Sequence, residues 1–203
     1  MITKSNINKN YVGPKALFDP NYIPPSLLYR KKEENSLFSI LNDSISDGFC
    51  LNILYHGMNG IGKKVIINKV INDLLMENHK YLQLNKVCVD CKEKEVQELI
   101  FSLLTELLNN YNLNFDYRPI LNSSLFNLWN TFKFVCNKID SHLLFIFNNS
   151  EYLEPKIFQK FLQFSKETNI TLISTVNKFL KPGTMELIPK FINSKVIVPS
   201  KPA

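Results

Sequence analysis

With 203 residues, 45% of them apolar and 21% charged, the chain is long enough to bury a core of its own. One α/β domain with an N-terminal arm is expected. No apolar run approaches the roughly 20 residues that span a bilayer, and the opening MITKSNINKN lacks the apolar stretch of a secretory leader, so no membrane partner and an intracellular location are expected. A net charge of +6 with a pI near 9.0 suits nucleic acid or another polyanion but is too mild to identify one.

Residues 1–15 read as a flexible N-terminus and 16–32 as an arm. Pro20, Pro24 and Pro25 remove backbone donors and restrict their neighbours, so the arm is extended rather than helical. Phe18, Tyr22, Ile23, Leu27 and Leu28 give it apolar groups to pack with. The domain proper is expected over 33–199, with a tail at 200–203. Glu33 to Ser46 reads as a helix, apolar at Leu37, Ile40, Leu41 and Ile45, and stopped by Asp47-Gly48.

The stretch LNILYHGMNGIGKKVIINKV, Leu51 to Val70, organises the rest. Leu51, Ile53, Leu54 and Tyr55 suit a buried parallel strand. Val65, Ile66, Val70, Ile71, Leu74 and Leu75 repeat near the helical period, and that helix is expected to run to about Asn78. Between them lies Gly57-Met58-Asn59-Gly60-Ile61-Gly62-Lys63-Lys64. Glycines at 57, 60 and 62 let backbone amides curl around an anion. The following helix adds partial positive charge at its N-terminus, and Lys63 is placed to reach the β and γ phosphates. The usual pattern, G-x-x-x-x-G-K-[ST], ends in a hydroxyl that binds magnesium. Here that position is Lys64, so the phosphate cradle is complete and a magnesium ligand is missing. The alternative is an ordinary glycine-rich turn between strand and helix, with no ligand.

A second strand is expected over Leu84 to Val89 and a helix over Lys94 to Leu108, apolar at Val96, Leu99, Ile100, Leu103, Leu104 and Leu107. Cys88 and Cys91 form a C-x-x-C without the second pair that a zinc site needs, so they read as reduced core or near-core thiols. Asn109 to Asn122 reads as a loop, and Ser124 to Ile139 as a helix carrying Trp129, the only tryptophan.

The third strand, His142 to Phe147, runs into Asn148-Asn149-Ser150-Glu151. In a phosphate-loop ATPase such a strand ends in an acidic pair, one acid for magnesium and one to polarise the attacking water. Asn148 and Asn149 can hydrogen-bond a water but supply neither a base nor charge to a metal, and Glu151 is the nearby carboxylate that could compensate. The alternative is that the two asparagines merely end a buried strand. A helix over Glu154 to Glu167, a strand over Ile170 to Val176 ending in Asn177, a helix over Gly183 to Asn193 and a strand over Lys195 to Val198 complete the pattern. Strands alternating with helices predict an α/β fold: a five-stranded parallel sheet sandwiched between helices, with ligands at the carboxyl ends of the strands. The phosphate loop, Asn148, Asn149 and Asn177 all fall at such ends. Asn177 would face the γ-phosphate if the third and fourth strands flank the loop.

These residues resemble a family. The arm with Tyr22-Ile23-Pro24-Pro25 and Arg30, the loop from Leu54 to Lys63, the strand end Asn148-Asn149-Ser150-Glu151-Tyr152-Leu153, and Ile173 to Asn177 are similar to the AAA+ base domain, a P-loop NTPase fold, of archaeal and eukaryotic replication initiators of the origin-recognition and cell-division-control type. The resemblance covers about Phe18 to Pro199. It implies that Tyr22, Ile23 and Arg30 border the base or its ribose-phosphate end, and that Gly57, Asn59, Gly60, Ile61, Gly62, Lys63, Lys64 and Val65 cradle the phosphates of ATP or ADP. It also places Asn148 and Asn149 at the acidic-pair positions and Asn177 at the sensor asparagine. Mg2+ would meet degenerate ligands, so weak or absent ATP hydrolysis is expected. The resemblance further implies other AAA+ initiator subunits or replication proteins as partners, with modest, salt-sensitive DNA binding. The family's helical lid and winged-helix domain have no counterpart read in these residues, and Lys190 is the nearest candidate for an arginine finger. Two rival functions are a hydrolysing ATPase of a related class, with Glu151 completing the site, and an interaction module that binds no nucleotide.

Overall fold

The apolar run Leu143–Asn148 is buried along its whole length, and so is Ile170–Val176. Strands buried on both faces need cover on both, and the sequence supplies it with amphipathic helices before and after them. The computed structural model describes residues 22–24, 27, 29–77, 84–111, 123–168 and 170–177, together with the backbone of 194–197. The elements in order are α1 (Lys31–Ser46), β1 (Asn52–His56), α2 (Lys63–Glu77), β2 (Asn85–Asp90), α3 (Val96–Asn110), α4 (Leu125–Lys138), β3 (Leu143–Asn148), a 3-10 turn (Ser150–Tyr152), α5 (Pro155–Glu167), β4 (Ile170–Val176) and β5 (Ser194–Ile197). Most boundaries fall within a residue or two of those expected, but α3 runs through Asn109 and Asn110, which the sequence assigns to a loop. Residues 112–122 of that loop, Phe18, Pro20, Pro25 and Leu28 of the arm, the helix over 183–193, Lys190, the N-terminus and the tail lie outside the described residues.

All described pairings are parallel, and the sheet order is β2-β3-β4-β1-β5. The four strands β1 to β4 carry the described core, and β5 adds its backbone to the edge of β1. β4 therefore flanks β1, the strand that leads into the glycine-rich loop, while β3 stands one strand further away, so only one of the two expected strands adjoins the loop strand.

Side chains alternate between the two faces, as the pleat requires. Leu143, Phe145 and Phe147 of β3 join Leu103, Leu104, Phe132, Phe158 and Phe161 under α3, α4 and α5. Leu144 and Ile146 of the same strand join Leu37, Leu41, Ile66, Val70 and Ile71 under α1 and α2. The first layer is aromatic: the Phe147 and Phe161 rings meet edge to face at 4.7 Å, and Trp129 meets Phe161 at 5.0 Å, a favoured geometry for ring pairs. Ser124 begins α4 by accepting a hydrogen bond from the Asn127 N–H at 3.3 Å. Cys88 packs with the α1/α2 layer and buried Cys91 with the opposite one, so the C-x-x-C straddles the sheet as two free thiols. Among the described residues no helix is long and apolar enough to cross a membrane.

Candidate functional site

β1 ends at His56, and the chain turns at once into the loop, pinned to the neighbouring strand by a 3.1 Å hydrogen bond from the Gly57 N–H to the Val176 carbonyl. Gly60 and Gly62 take φ +80° and +84°, the left-handed region that L side chains avoid; Gly57 does not. A Cβ built at Gly60 or Gly62 would meet nothing within 4 Å, so the backbone conformation, not crowding, calls for glycine there. Gly62 then accepts the first α2 hydrogen bond, from the Ile66 N–H at 3.0 Å. The N–H groups of Lys63, Lys64 and Val65 in that first turn have no partner within the helix. They are the donors a phosphate would take. Asn59 and Gly60 are exposed on the loop; Ile61, Gly62 and Val65 are half-buried.

Lys63 is 5% exposed. Its ammonium donates to the Gly57 carbonyl at 2.8 Å and the Met58 carbonyl at 2.7 Å, which leaves the third of its donors for a phosphate oxygen. Burial pulls its pKa below the usual lysine range; Glu151 opposes that shift and Lys64 adds to it. Arg30 is buried as well, donating to the Ile61 carbonyl at 3.3 Å and pairing with Glu33 at 3.2 Å. It thus ties the end of the arm to the loop. Tyr22 and Ile23 are half-buried, and the described contacts join Arg30, not these two, to the loop.

The strand ends form a connected polar row beside the loop. Lys64 pairs with Asp90, the last residue of β2, at 3.2 Å. The other Asp90 oxygen accepts from the Asn149 amide at 2.6 Å and from the Lys92 N–H at 3.0 Å. Burial opposes ionisation of Asp90, but these donors together with Lys64 outweigh it and hold its carboxyl below the usual range. Asn149 sits at φ +58°, a conformation asparagine tolerates; its backbone N–H donates to the Thr175 hydroxyl at 3.2 Å and its side-chain Oδ1 accepts from the Asn177 side-chain amide. The Asn177 N–H donates to Glu151 at 3.3 Å, and the second Glu151 oxygen is buried without a partner. Asn148 is buried, donating to the Cys88 sulfur at 3.1 Å and accepting from Thr175 at 3.4 Å. The structure therefore brings Asn149, Asn177 and Lys64 into one row and turns Asn148 inward. The sequence pattern assigns no site role to Asp90 or Thr175. Asp90 had a readable signal, since it closes a strand on the same edge as the loop.

The donors suit a phosphate group and do not suit magnesium. Lys64 presents a cation where the pattern has a hydroxyl, and both strand-end amides are committed to protein partners. Among the described residues no group of three His, Cys, Asp or Glu side chains could hold a metal ion.

Comparison with solved structures identifies the architecture. The chain superposes on Cdc6p from Pyrobaculum aerophilum with a TM-score of 0.69 at 17% identity, covering 92% of this chain and 49% of that one. It superposes on the Aeropyrum pernix ORC1 protein in complex with DNA with a TM-score of 0.71 at 15% identity, covering 91% and 48%. For the Aeropyrum pernix ORC2 protein in its ADPNP-ADP complexes the TM-score is 0.65 at 14% identity, covering 91% and 51%. The fold is that of an Orc/Cdc6-type AAA+ base domain. At these identities the likeness is one of fold, and the chain spans about half the length of each of those structures. No protein-family model matches the chain, and no curated protein matches it. The loop, the β3 end and the β4 end lie together on the carboxyl edge of the sheet, as the alternation of strands and helices predicts.

Proposed function

We propose that this chain is an AAA+ base domain that binds ATP or ADP at Gly57–Lys64, hydrolyses it slowly or not at all, and works within a replication-initiator-like assembly. One observation carries the reading. The phosphate-loop lysine is buried at the head of α2, while the strand-end positions beside it hold amides already bonded to protein groups. Such a site binds phosphate but offers no base at the usual place. Nucleotide then acts by favouring one arrangement of the arm and loop, which Arg30 joins, rather than through turnover. The similar ORC2 structures hold ADPNP and ADP, and ORC1 and Drosophila ORC are bound to DNA. They support nucleotide as ligand and initiator subunits or DNA as partners. With +6 net charge, DNA affinity is expected to be modest and to fall with salt.

Titration calorimetry with ATP and ADP tests the binding: wild-type protein gives a saturable heat and Lys63→Ala gives none. Equal binding by the two would overturn the assignment of the loop. A second reading, residual hydrolysis, is favoured by Glu151, whose buried oxygen has no partner. Phosphate release by wild type that Glu151→Gln abolishes would establish it.

A further inference from the structure

Two departures from the phosphate-loop pattern shift the charge in the same direction, toward the positive charge a divalent ion would bring. Lys64 adds a positive charge where a hydroxyl would hold a divalent ion, and Asn148 and Asn149 remove the negative charges that would hold it from the other side. We propose that the Lys64 ammonium stands in for the divalent cation, so that this site binds nucleoside di- and triphosphates without a metal. The inference rests on the nucleotide reading of the loop.

The geometry supports it. Lys64 lies in the first turn of α2, beside the buried Lys63, and its side chain reaches from the loop to the end of β2. Asp90, its partner there, is the register partner of Asn148. The ammonium is thus held at the strand-end edge, where a phosphate-bound metal would otherwise be needed. Asp90 is a fixed anchor, because Asn149 and the Lys92 N–H grip its other oxygen. The pair is nonetheless soft: the Lys64 and Asp90 side chains are 53% and 44% exposed, and ion pairs in that setting are weak. A polyphosphate brings more negative charge than one carboxylate, so it draws Lys64 off Asp90 when it enters the loop. The ammonium then adds charge-assisted hydrogen bonds to those made by Lys63 and the α2 amides.

The test is calorimetric titration of the full chain with ATP, once in excess magnesium and once in excess EDTA. Wild-type Kd is expected to agree within about threefold between the two conditions, and Lys64→Thr to weaken binding in EDTA by about tenfold or more, the scale of losing one charge-assisted contact. Asp90→Asn, which frees Lys64, is expected to tighten binding in EDTA several-fold; Lys64 is exposed and Asp90 half-buried, and cooperative circular dichroism melts confirm that both variants fold. Wild-type binding that disappears in EDTA, or Lys64→Thr binding like wild type there, overturns the metal-free site and leaves the nucleotide reading standing. Absence of binding in both conditions overturns both.

Discussion

Asp90 and Lys64 differ in how far each could be read ahead of the structure. Lys64 is conspicuous because it breaks a pattern at a defined position. Asp90 breaks none; it matters because β2 ends there, one strand beyond Asn148, and because Lys64 is long enough to reach it. Its pH behaviour follows from those partners. The folded carboxyl ionises below the usual carboxylate range, so the unfolded chain binds more protons as the pH falls. The stabilisation it supplies is complete above the unfolded carboxylate range and is lost as pH drops through the lower folded value. Asp90→Asn is therefore expected to flatten the acid limb of urea midpoints measured across pH, and an unchanged limb would contradict it. Gly62 makes a separate prediction. The space around its missing Cβ is open, yet φ is +84°, so Gly62→Ala is expected to lower stability in urea denaturation by about 1–2 kcal/mol through backbone strain alone.

At the scale of the elements, hydrophobic period located every described helix and strand. The β3 run and the α3 repeat are strong signals because a buried strand and a one-sided helix leave no other use for so many apolar residues. The expected loop from Asn109 was too early at its start: polar Asn109 and Asn110 complete the last turn of α3, where the exposed face needs no apolar group. α4 separates packing from exposure within one helix. Phe132 is fully buried against Trp129, Phe145 and Phe164, whereas Phe134 is 62% exposed. Phe132→Ala is expected to remove about 3–5 kcal/mol of stability, through lost burial and the cavity left behind. Phe134→Ala is expected to change the urea midpoint little, and a loss as large as that of Phe132→Ala would disprove the packing. Ser124→Ala, which removes the N-cap acceptor of the same helix, is expected to lower stability by about 1 kcal/mol.

At the scale of the whole molecule, the parallel order β2-β3-β4-β1-β5 gathers the loop, Asp90, Asn149 and Asn177 from four separate strand ends into one edge. A ligand that joins these groups stabilises the folded state in proportion to its occupancy. ATP at a hundred times its Kd is expected to add about 2.7 kcal/mol, which for a domain of this size is roughly 5–10 °C in a thermal melt. Lys63→Ala should show no such shift, and an equal shift in both proteins would place the ligand elsewhere. The aromatic layer under α3, α4 and α5 lies on one face of the sheet, while the site is on its carboxyl edge, so packing variants such as Phe132→Ala act on stability and leave the loop donors in place.

The sequence by itself determined the alternation of strands and helices, the position of the glycine-rich loop and the amide pair at the end of β3. Each depends on residues close together in the chain, where period, glycine placement and chain direction leave few alternatives. The tertiary structure decided what those residues touch. It placed β4 rather than β3 next to the loop strand, turned Asn148 toward Cys88 while Asn149 faced Asp90 and Asn177, and closed the gap between Lys64 and Asp90. Those outcomes depend on strand order and register, which set the distances between groups far apart in sequence and leave no trace in local pattern.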